Sequence, residues 1–112
     1  MNDARFGLLA EYAAILIYSL KLCSILHHRM RNFGGEVDIV VRRGGGLIGF
    51  IEVKARSSEL DDRFVSIHQR KRITRAAEIF LKNNPKYQQF NVRFDLVVIR
   101  PYKLPMIIKN AW

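Results

Sequence analysis

The spacing of apolar residues along the chain predicts two helices. Residues 8–22 are good helix formers and are apolar on nearly every side, apart from Glu11, which is typical of a helix covered by the rest of a domain. Residues 66–83 repeat apolar side chains at intervals of three and four, with basic residues between them. The apolar positions of this second segment are Ile73, Ala76, Ala77, Phe80 and Leu81. The second helix is therefore predicted to be amphipathic, with one basic side.

Runs of β-branched and aromatic residues predict five strands. They cover residues 25–31, 36–43, 47–54, 90–99 and 106–109. Residues 32–35 form a turn, Gly44 to Gly46 allow a tight reversal, and the polar residues 55–64 form a surface loop. The order is α-β-β-β-α-β-β, which makes the chain an α/β protein. With 112 residues and no linker or repeat, residues 1–112 are expected to form a single domain.

The three glycines predict the register of the hairpin formed by the second and third strands. If they are the loop, paired positions sum to 90, so that Asp38 lies opposite Glu52 and Glu36 lies opposite Lys54. Because side chains alternate along a strand, these four residues share one face. The opposite face is aliphatic, since the same register pairs Val37 with Val53 and Ile39 with Ile51.

Two opposed carboxylates repel each other, and a fold that retains them usually compensates with a cation. An oxygen-only ligand set suits Mg²⁺ or Mn²⁺ better than zinc. Such an ion could polarise a phosphodiester and lower the pKa of a bound water. Lys54 lies on the same face as Glu52 and could position that water or stabilise developing negative charge. Glu11 is a further acidic candidate, because it interrupts an otherwise apolar helix.

The same residues also fit a plainer interpretation. Alternating acidic and basic residues on a strand are most often a solvated face, and Glu36 with Lys54 would then be a cross-strand ion pair. Against this, three of the ten acidic residues of a basic chain fall on one hairpin face. Both interpretations stay open at the level of residue patterns.

Several motifs resemble the YraN-like protein family over nearly the whole chain. They are GLLAE, RNFGGEVDIV, FIEVKARS, KRITRAAEIFL, RFDLVVI and the terminal KNAW. The family is similar to archaeal Holliday junction resolvases, and the resemblance implies a restriction-endonuclease-like, or PD-(D/E)xK, nuclease fold with a mixed central β-sheet flanked by helices. It assigns metal-binding carboxylates to Asp38 and Glu52, the motif lysine to Lys54 and the helix glutamate to Glu11. Gln69 stands where relatives commonly have lysine.

The net charge of +9 indicates a polyanionic partner. Glu11 and Lys21 interrupt the apolar N-terminal stretch, so a membrane span is not expected, and the first residues do not resemble a secretory signal. Basic residues cluster at the start of the second helix and around the hairpin. The candidate nucleic-acid-binding residues are Arg42, Arg43, Arg56, Gln69, Arg70, Lys71, Arg72 and Arg75. Contacts from such residues to phosphates would be sensitive to salt and nearly independent of base sequence.

Three functions follow as hypotheses. The first is a Mg²⁺- or Mn²⁺-dependent endonuclease acting on structured or branched DNA, with RNA left open and a homodimer suggested by the likeness to junction resolvases. The second is a nucleic-acid-binding module of the same fold that cleaves nothing. The third is a protein-interaction subunit with a basic face. The single cysteine, Cys23, favours a reducing compartment, and hence the cytoplasm.

Overall fold

The computed structural model describes residues 3–56 and 65–112, and their elements follow the predicted order. The elements are α1 (Asp3–Leu20), β1 (Cys23–Asn32), β2 (Gly35–Arg43), β3 (Leu47–Ala55), α2 (Ile67–Asn83), β4 (Asn91–Ile99) and β5 (Met106–Ile108). A short 3₁₀ helix, Pro85–Tyr87, precedes β4 and was not predicted. Of the predicted surface loop, residues 57–64 lie outside the described residues.

The five strands form one mixed sheet in the order β1-β2-β3-β4-β5. Neighbouring strands are antiparallel except β3 and β4, which run parallel, and α2 lies in the connection between these two strands. Parallel strands are usually joined by a crossover of this kind, because a tight turn leaves the next strand antiparallel to the one before it. The α/β class and the mixed sheet with helices, compatible with a restriction-endonuclease-like fold, are confirmed.

The helices cover opposite faces of the sheet, giving three layers. Ala14 and Tyr18 of α1 pack with Ile39 and Ile51, whereas the buried side of α2 packs with the alternate sheet positions, such as Phe50. Residues at successive strand positions therefore enter different cores, as the alternation of side chains along a strand requires. Both faces of β2 and β3 are buried, and the candidate site lies within this buried part of the sheet.

The prediction that α1 is covered on all sides is wrong. Its inner side is buried against the sheet, but the opposite side exposes a line of large apolar residues, which are Leu9, Tyr12, Leu16 and Leu20. The sheet contacts only one side of the helix, and no other described element covers the outer side. Among the described helices, none is both long enough and apolar enough to cross a membrane.

The turn between β1 and β2 is fixed directly to α2. A Cβ added at Gly34 would lie 2.6 Å from the backbone nitrogen of Ala76, so only glycine allows this approach. The Asn32 side chain donates a hydrogen bond to the Ala76 carbonyl at 2.9 Å and accepts one from the Gly34 backbone N–H at 2.8 Å. The β1–β2 hairpin and α2 therefore form one rigid unit next to the candidate site.

Candidate functional site

The site begins where β2 and β3 separate. Their ladder follows the predicted register from Arg43–Leu47 to Ile39–Ile51 and then stops. Beyond this point β2 continues to pair with β1, and β3 continues to pair with β4 as far as Ala55. The Asp38 carboxylate occupies the fork and accepts a hydrogen bond from the Val53 backbone N–H at 2.8 Å. A side chain thus replaces the next rung of the ladder.

This fork changes the predicted pairing beyond Ile51. Val37 and Val53 are not ladder partners, and Val37 packs in the core beneath α2 while Val53 packs against the core beneath α1. The predicted single aliphatic face is therefore wrong at Val37. The register arithmetic fails here because it assumes that both strands continue side by side, whereas each follows its other neighbour.

The Asp38 and Glu52 carboxyl groups lie together in a cavity of about 300 Å³ beneath α2. Glu52 is buried, and Gly35, Glu36, Gln69, Arg72 and Ile73 complete the lining. Burial raises the pKa of Asp38 to about 8, and the hydrogen bond and negative charge of Glu52 act in the same direction. The pair therefore retains one proton near neutral pH, which the Val53 hydrogen bond opposes only partly.

Lys54 and Gln69 are bound to the same carboxylate. The Lys54 Nζ lies 3.4 Å from the Glu52 Oε2 and donates a hydrogen bond to the Gln69 Oε1 at 3.0 Å. The Gln69 Nε2 in turn donates to the Glu52 Oε2 at 3.3 Å. Ser66 caps the N-terminus of α2 by accepting a hydrogen bond from the Gln69 backbone N–H, which fixes Gln69 in the first helical turn. Gln69 thus links the carboxylate and the lysine.

Two other predicted acidic residues are held elsewhere. The expected cross-strand pair between Glu36 and Lys54 does not form, because Glu36 lies 3.3 Å from the guanidinium of Arg31. Glu11 is bound by β1: the His28 Nε2 lies 2.6 Å from its Oε1, and the Arg29 Nε donates to the same oxygen at 3.0 Å. Its charge still contributes to the raised pKa of Asp38. Tertiary contacts with β1, which the sequence pattern does not encode, determine the position of Glu11.

The donor set limits the metal chemistry that the site could support. No group of three or more His, Cys, Asp or Glu side chains able to hold a metal occurs in residues 3–56 and 65–112. Asp38 and Glu52 could supply two oxygen ligands, and Mg²⁺ commonly takes one or two carboxylates with waters and substrate phosphates completing its shell. Burial is the main cause of the raised pKa of Asp38, and the negative charge of Glu52 adds to it; a divalent cation would neutralise that charge. The residues therefore fit Mg²⁺ or Mn²⁺.

Comparison with known proteins identifies the family of this chain. The model of a family described as "Uncharacterised protein family UPF0102" matches residues 10–99. The chain belongs to the UPF0102 family. This is the YraN family that the motifs resemble, and its matched segment contains all four predicted catalytic residues: Glu11, Asp38, Glu52 and Lys54.

Individual UPF0102 proteins match over nearly the full length of the chain. A UPF0102 protein of Paramagnetospirillum magneticum is 42% identical over 96% of this chain and 87% of its own length. One of Methylocella silvestris is 43% identical over 94% and 85%, and one of Sinorhizobium medicae is 39% identical over 100% and 92%. These names carry no activity, so any function rests on the site itself.

The predicted nucleic-acid-binding residues of α2 form an exposed basic surface beside the cavity. Lys71, Arg72 and Arg75 are exposed, and Arg72 also lines the carboxylate cavity. Arg70 is half-buried and donates to the Val65 carbonyl at 2.8 Å. Lys71 and Gln69 line different cavities, since two residues along a helix turn a side chain well away from the first.

The remaining predicted basic residues lie outside this surface. Arg42 and Arg43 are at the opposite end of β2, about 13 Å along the strand from Asp38. Arg42 is held there by the Gly44 carbonyl, to which its Nε donates at 3.0 Å, and by the Phe90 ring, whose centroid lies 5.2 Å away. Arg56 follows β3 and donates from its Nη1 to the Ala55 carbonyl. Their contact with phosphates stays a prediction.

Two other sets of polar contacts lie outside the carboxylate site. Asp95 is bound by Arg93, whose guanidinium donates two hydrogen bonds to the buried carboxylate at 2.8 and 2.9 Å. The Tyr18 hydroxyl also donates to it at 2.8 Å, and burial with this carboxylate raises the pKa of Tyr18. His27 packs on the Phe80 ring of α2, so it lies on the side opposite the bound His28.

Proposed function

We propose that this protein is a Mg²⁺- or Mn²⁺-dependent nucleic-acid phosphodiesterase, with structured or branched DNA as its substrate. The observation that carries the proposal is the buried carboxylate pair Asp38–Glu52, with Lys54 bound to it and Arg72 at the same cavity. Clusters that combine desolvated carboxylates with a lysine in a cleft are more frequent at functional sites than elsewhere. The exposed basic side of α2 supplies contacts for the phosphate backbone.

The chemistry divides among the side chains as follows. Asp38 and Glu52 would hold the cation, which supplies polarisation of a phosphate oxygen and a more acidic water. Lys54, oriented by Gln69, would stabilise the negative charge that develops when the water oxygen bonds to phosphorus and one P–O ester bond breaks. Arg72 would orient the phosphate through its guanidinium.

A cleavage assay with matched variants tests this function. Purified protein is incubated with branched, nicked and linear DNA in Mg²⁺ or Mn²⁺, beside Asp38→Asn, Lys54→Ala and the control Lys82→Ala. Lys82 is an exposed residue in the last turn of α2, so its loss removes the same charge far from the carboxylates along the helix. We expect Asp38→Asn and Lys54→Ala to lower the cleavage rate at least about 100-fold, and Lys82→Ala to have little effect. Cleavage that survives both site substitutions would overturn the assignment.

A non-catalytic nucleic-acid-binding module is the second candidate. It is favoured by the small ligand set, since the described residues contain no group of three or more side chains able to hold a metal, and by the ion pair that engages Lys54. Three phosphate contacts from Lys71, Arg72 and Arg75 would lower affinity about 40-fold between 50 and 200 mM salt. Binding with this salt dependence, without cleavage of any substrate in either metal, would select this candidate.

A further inference from the structure

The tip of the β1–β2 hairpin carries an aromatic side chain that contributes nothing to either core. Phe33 is fully exposed, although it lies in a two-residue connection between strands that are otherwise paired up to Asn32 and Gly35. A solvated phenylalanine ring gives no folding stability, because its apolar surface stays in water. Its exposed position therefore favours a function in ligand recognition.

The backbone beside Phe33 is held rigidly. Gly34 contacts the α2 backbone too closely for any side chain, and Asn32 bonds both to α2 and to the turn. The ring is thus presented from a fixed support, so less conformational entropy is lost when a ligand contacts it. This arrangement is typical of a recognition residue.

Charge around the ring favours an anionic ligand. Arg31 precedes the turn with a largely exposed side chain, whose Nε lies 3.3 Å from the Glu36 carboxylate. On the α2 side, a Cβ added at Gly34 would lie 2.8 Å from the Arg75 backbone carbon, and one added at Gly35 would lie 3.4 Å from the Arg72 Cβ. Two exposed arginines therefore start from the helix next to the turn. An aromatic ring among cationic side chains is the usual combination for binding unpaired nucleotides, in which the ring stacks on a base and the cations contact phosphates.

The residue that bears the ring is also close in the chain to the carboxylate cavity. Gly35, two residues after Phe33, lines that cavity together with Asp38, so at most about 7 Å of chain joins the ring-bearing residue to the cavity wall. We propose that Phe33 stacks on an unpaired base while the neighbouring backbone lies along α2 at the cavity, so that the substrate class is nucleic acid with unpaired or splayed bases. This inference rests on the proposed function for its ligand, but not on hydrolysis.

Binding measured in EDTA tests the stacking separately from cleavage. The probes are fluorescein-labelled oligothymidylate and a fully paired hairpin duplex, and affinity is measured by fluorescence anisotropy for Phe33→Ala and the control Tyr102→Ala. Tyr102 is another fully exposed aromatic residue, located in the turn between β4 and β5. We expect Phe33→Ala to weaken binding of the single strand about 10- to 100-fold and to leave duplex binding within about twofold. Tyr102→Ala should change neither affinity.

A tryptophan variant provides a spectroscopic signature. Phe33→Trp should retain affinity, and its indole fluorescence should be quenched by the single strand but not by the duplex. The wild type, whose single tryptophan, Trp112, stacks on Phe94, serves as the baseline. Quenching of this kind requires direct contact between the ring and a base, which a structural role of Phe33 would not produce.

The outcomes separate this inference from the proposed function. Equal loss of single-strand and duplex affinity, or no loss, would overturn the stacking role even if the protein cleaves DNA. Selective loss with quenching supports stacking even if no metal promotes cleavage. A change in sedimentation on Phe33→Ala, with DNA affinity unchanged, would assign the ring to contact with a second copy of the chain and overturn the inference. Absence of any nucleic-acid binding by the wild type would overturn both proposals.

Discussion

Replacing Asp38 with asparagine should stabilise the protein near neutral pH. The carboxyl group of Asp38 has a pKa of about 8 in the folded protein, against 3.8 when unperturbed. Between these values the folded state retains a proton that the unfolded chain has lost, so the contribution of Asp38 to stability is greatest below about pH 4 and falls as the pH rises towards 8. Asparagine carries no charge at any pH, can still accept the Val53 hydrogen bond and can donate to Glu52.

The size of the effect follows from one proton. Each pH unit in this window lowers the free energy of unfolding of the wild type by about 1.4 kcal/mol relative to the variant. From pH 5.5 to 7.5 the difference between Asp38→Asn and wild type should therefore grow by about 3 kcal/mol, or about 10 °C in Tm for a chain of this size. Titrating groups outside the Asp38–Glu52 pair are common to both proteins and cancel in the difference.

Thermal and urea unfolding in EDTA, at several pH values, measure this difference. Glu78→Gln is the matched control, because Glu78 is an exposed carboxylate on α2 outside the lining of the Asp38 cavity. It changes the net charge equally and should give an almost constant difference from wild type. A constant difference for Asp38→Asn as well, or a variant less stable than wild type at pH 7.5, would refute the crowding of the two carboxyl groups.

Three further substitutions or titrations have defined outcomes. Mn²⁺ must displace the proton shared by the carboxyl pair. Its affinity, measured by calorimetry, should therefore rise about tenfold per pH unit from pH 6 to 7.5, and binding should be lost in Glu52→Gln. An affinity that does not depend on pH would contradict this. Gly34→Ala should lower the free energy of unfolding in urea by about 2 kcal/mol. Gly45→Ala, whose Cβ would meet open space, should lower it by less than about 0.5 kcal/mol. Similar values for both variants would be inconsistent with the close approach of Gly34 to α2. Tyr18→Phe should lower the free energy of unfolding by about 2 kcal/mol, because the buried Asp95 carboxylate loses a hydrogen-bond donor. Tyr12→Phe, at an exposed position, should leave stability unchanged. An equal effect of both substitutions would argue against the buried hydrogen-bond network.

The local elements were predictable because local patterns determine them. The second helix was predicted to within a residue, and Ser66, included in the prediction, is its N-cap rather than its first helical residue. The first helix begins earlier than expected, at Asp3, and ends at Leu20, since Leu22 adopts a left-handed conformation with φ 65°. The hairpin register centred on Gly45 is confirmed for the five pairs of the ladder.

The candidate site was only partly predictable, because tertiary contacts complete it. The sequence brings Asp38 and Glu52 together through the glycine turn, but the opening of the fork depends on pairing of β3 with β4, a strand distant in sequence. The hydrogen bond between Gln69 and Lys54 depends on how α2 packs on the sheet. The spacing of residues in the sequence does not determine the distance between these two side chains. The signal in the sequence that could have pointed to Phe33 was the pair of glycines that follows it. Adjacent glycines in a turn indicate that the turn backbone packs closely against another element, which leaves the residue before them exposed to solvent.

The contact between Gly34 and α2 also has a consequence for genetic suppression. A Cβ at Gly34 would collide with backbone atoms of the helix, so no smaller side chain elsewhere can restore the lost space. Gly49 differs, because its added Cβ would meet only the Cγ2 of Val41, at 2.9 Å. Val41→Ala should therefore rescue Gly49→Ala as a non-additive pair, whereas suppressors of Gly34→Ala must displace the whole helix, together with the residues that it contributes to the cavity.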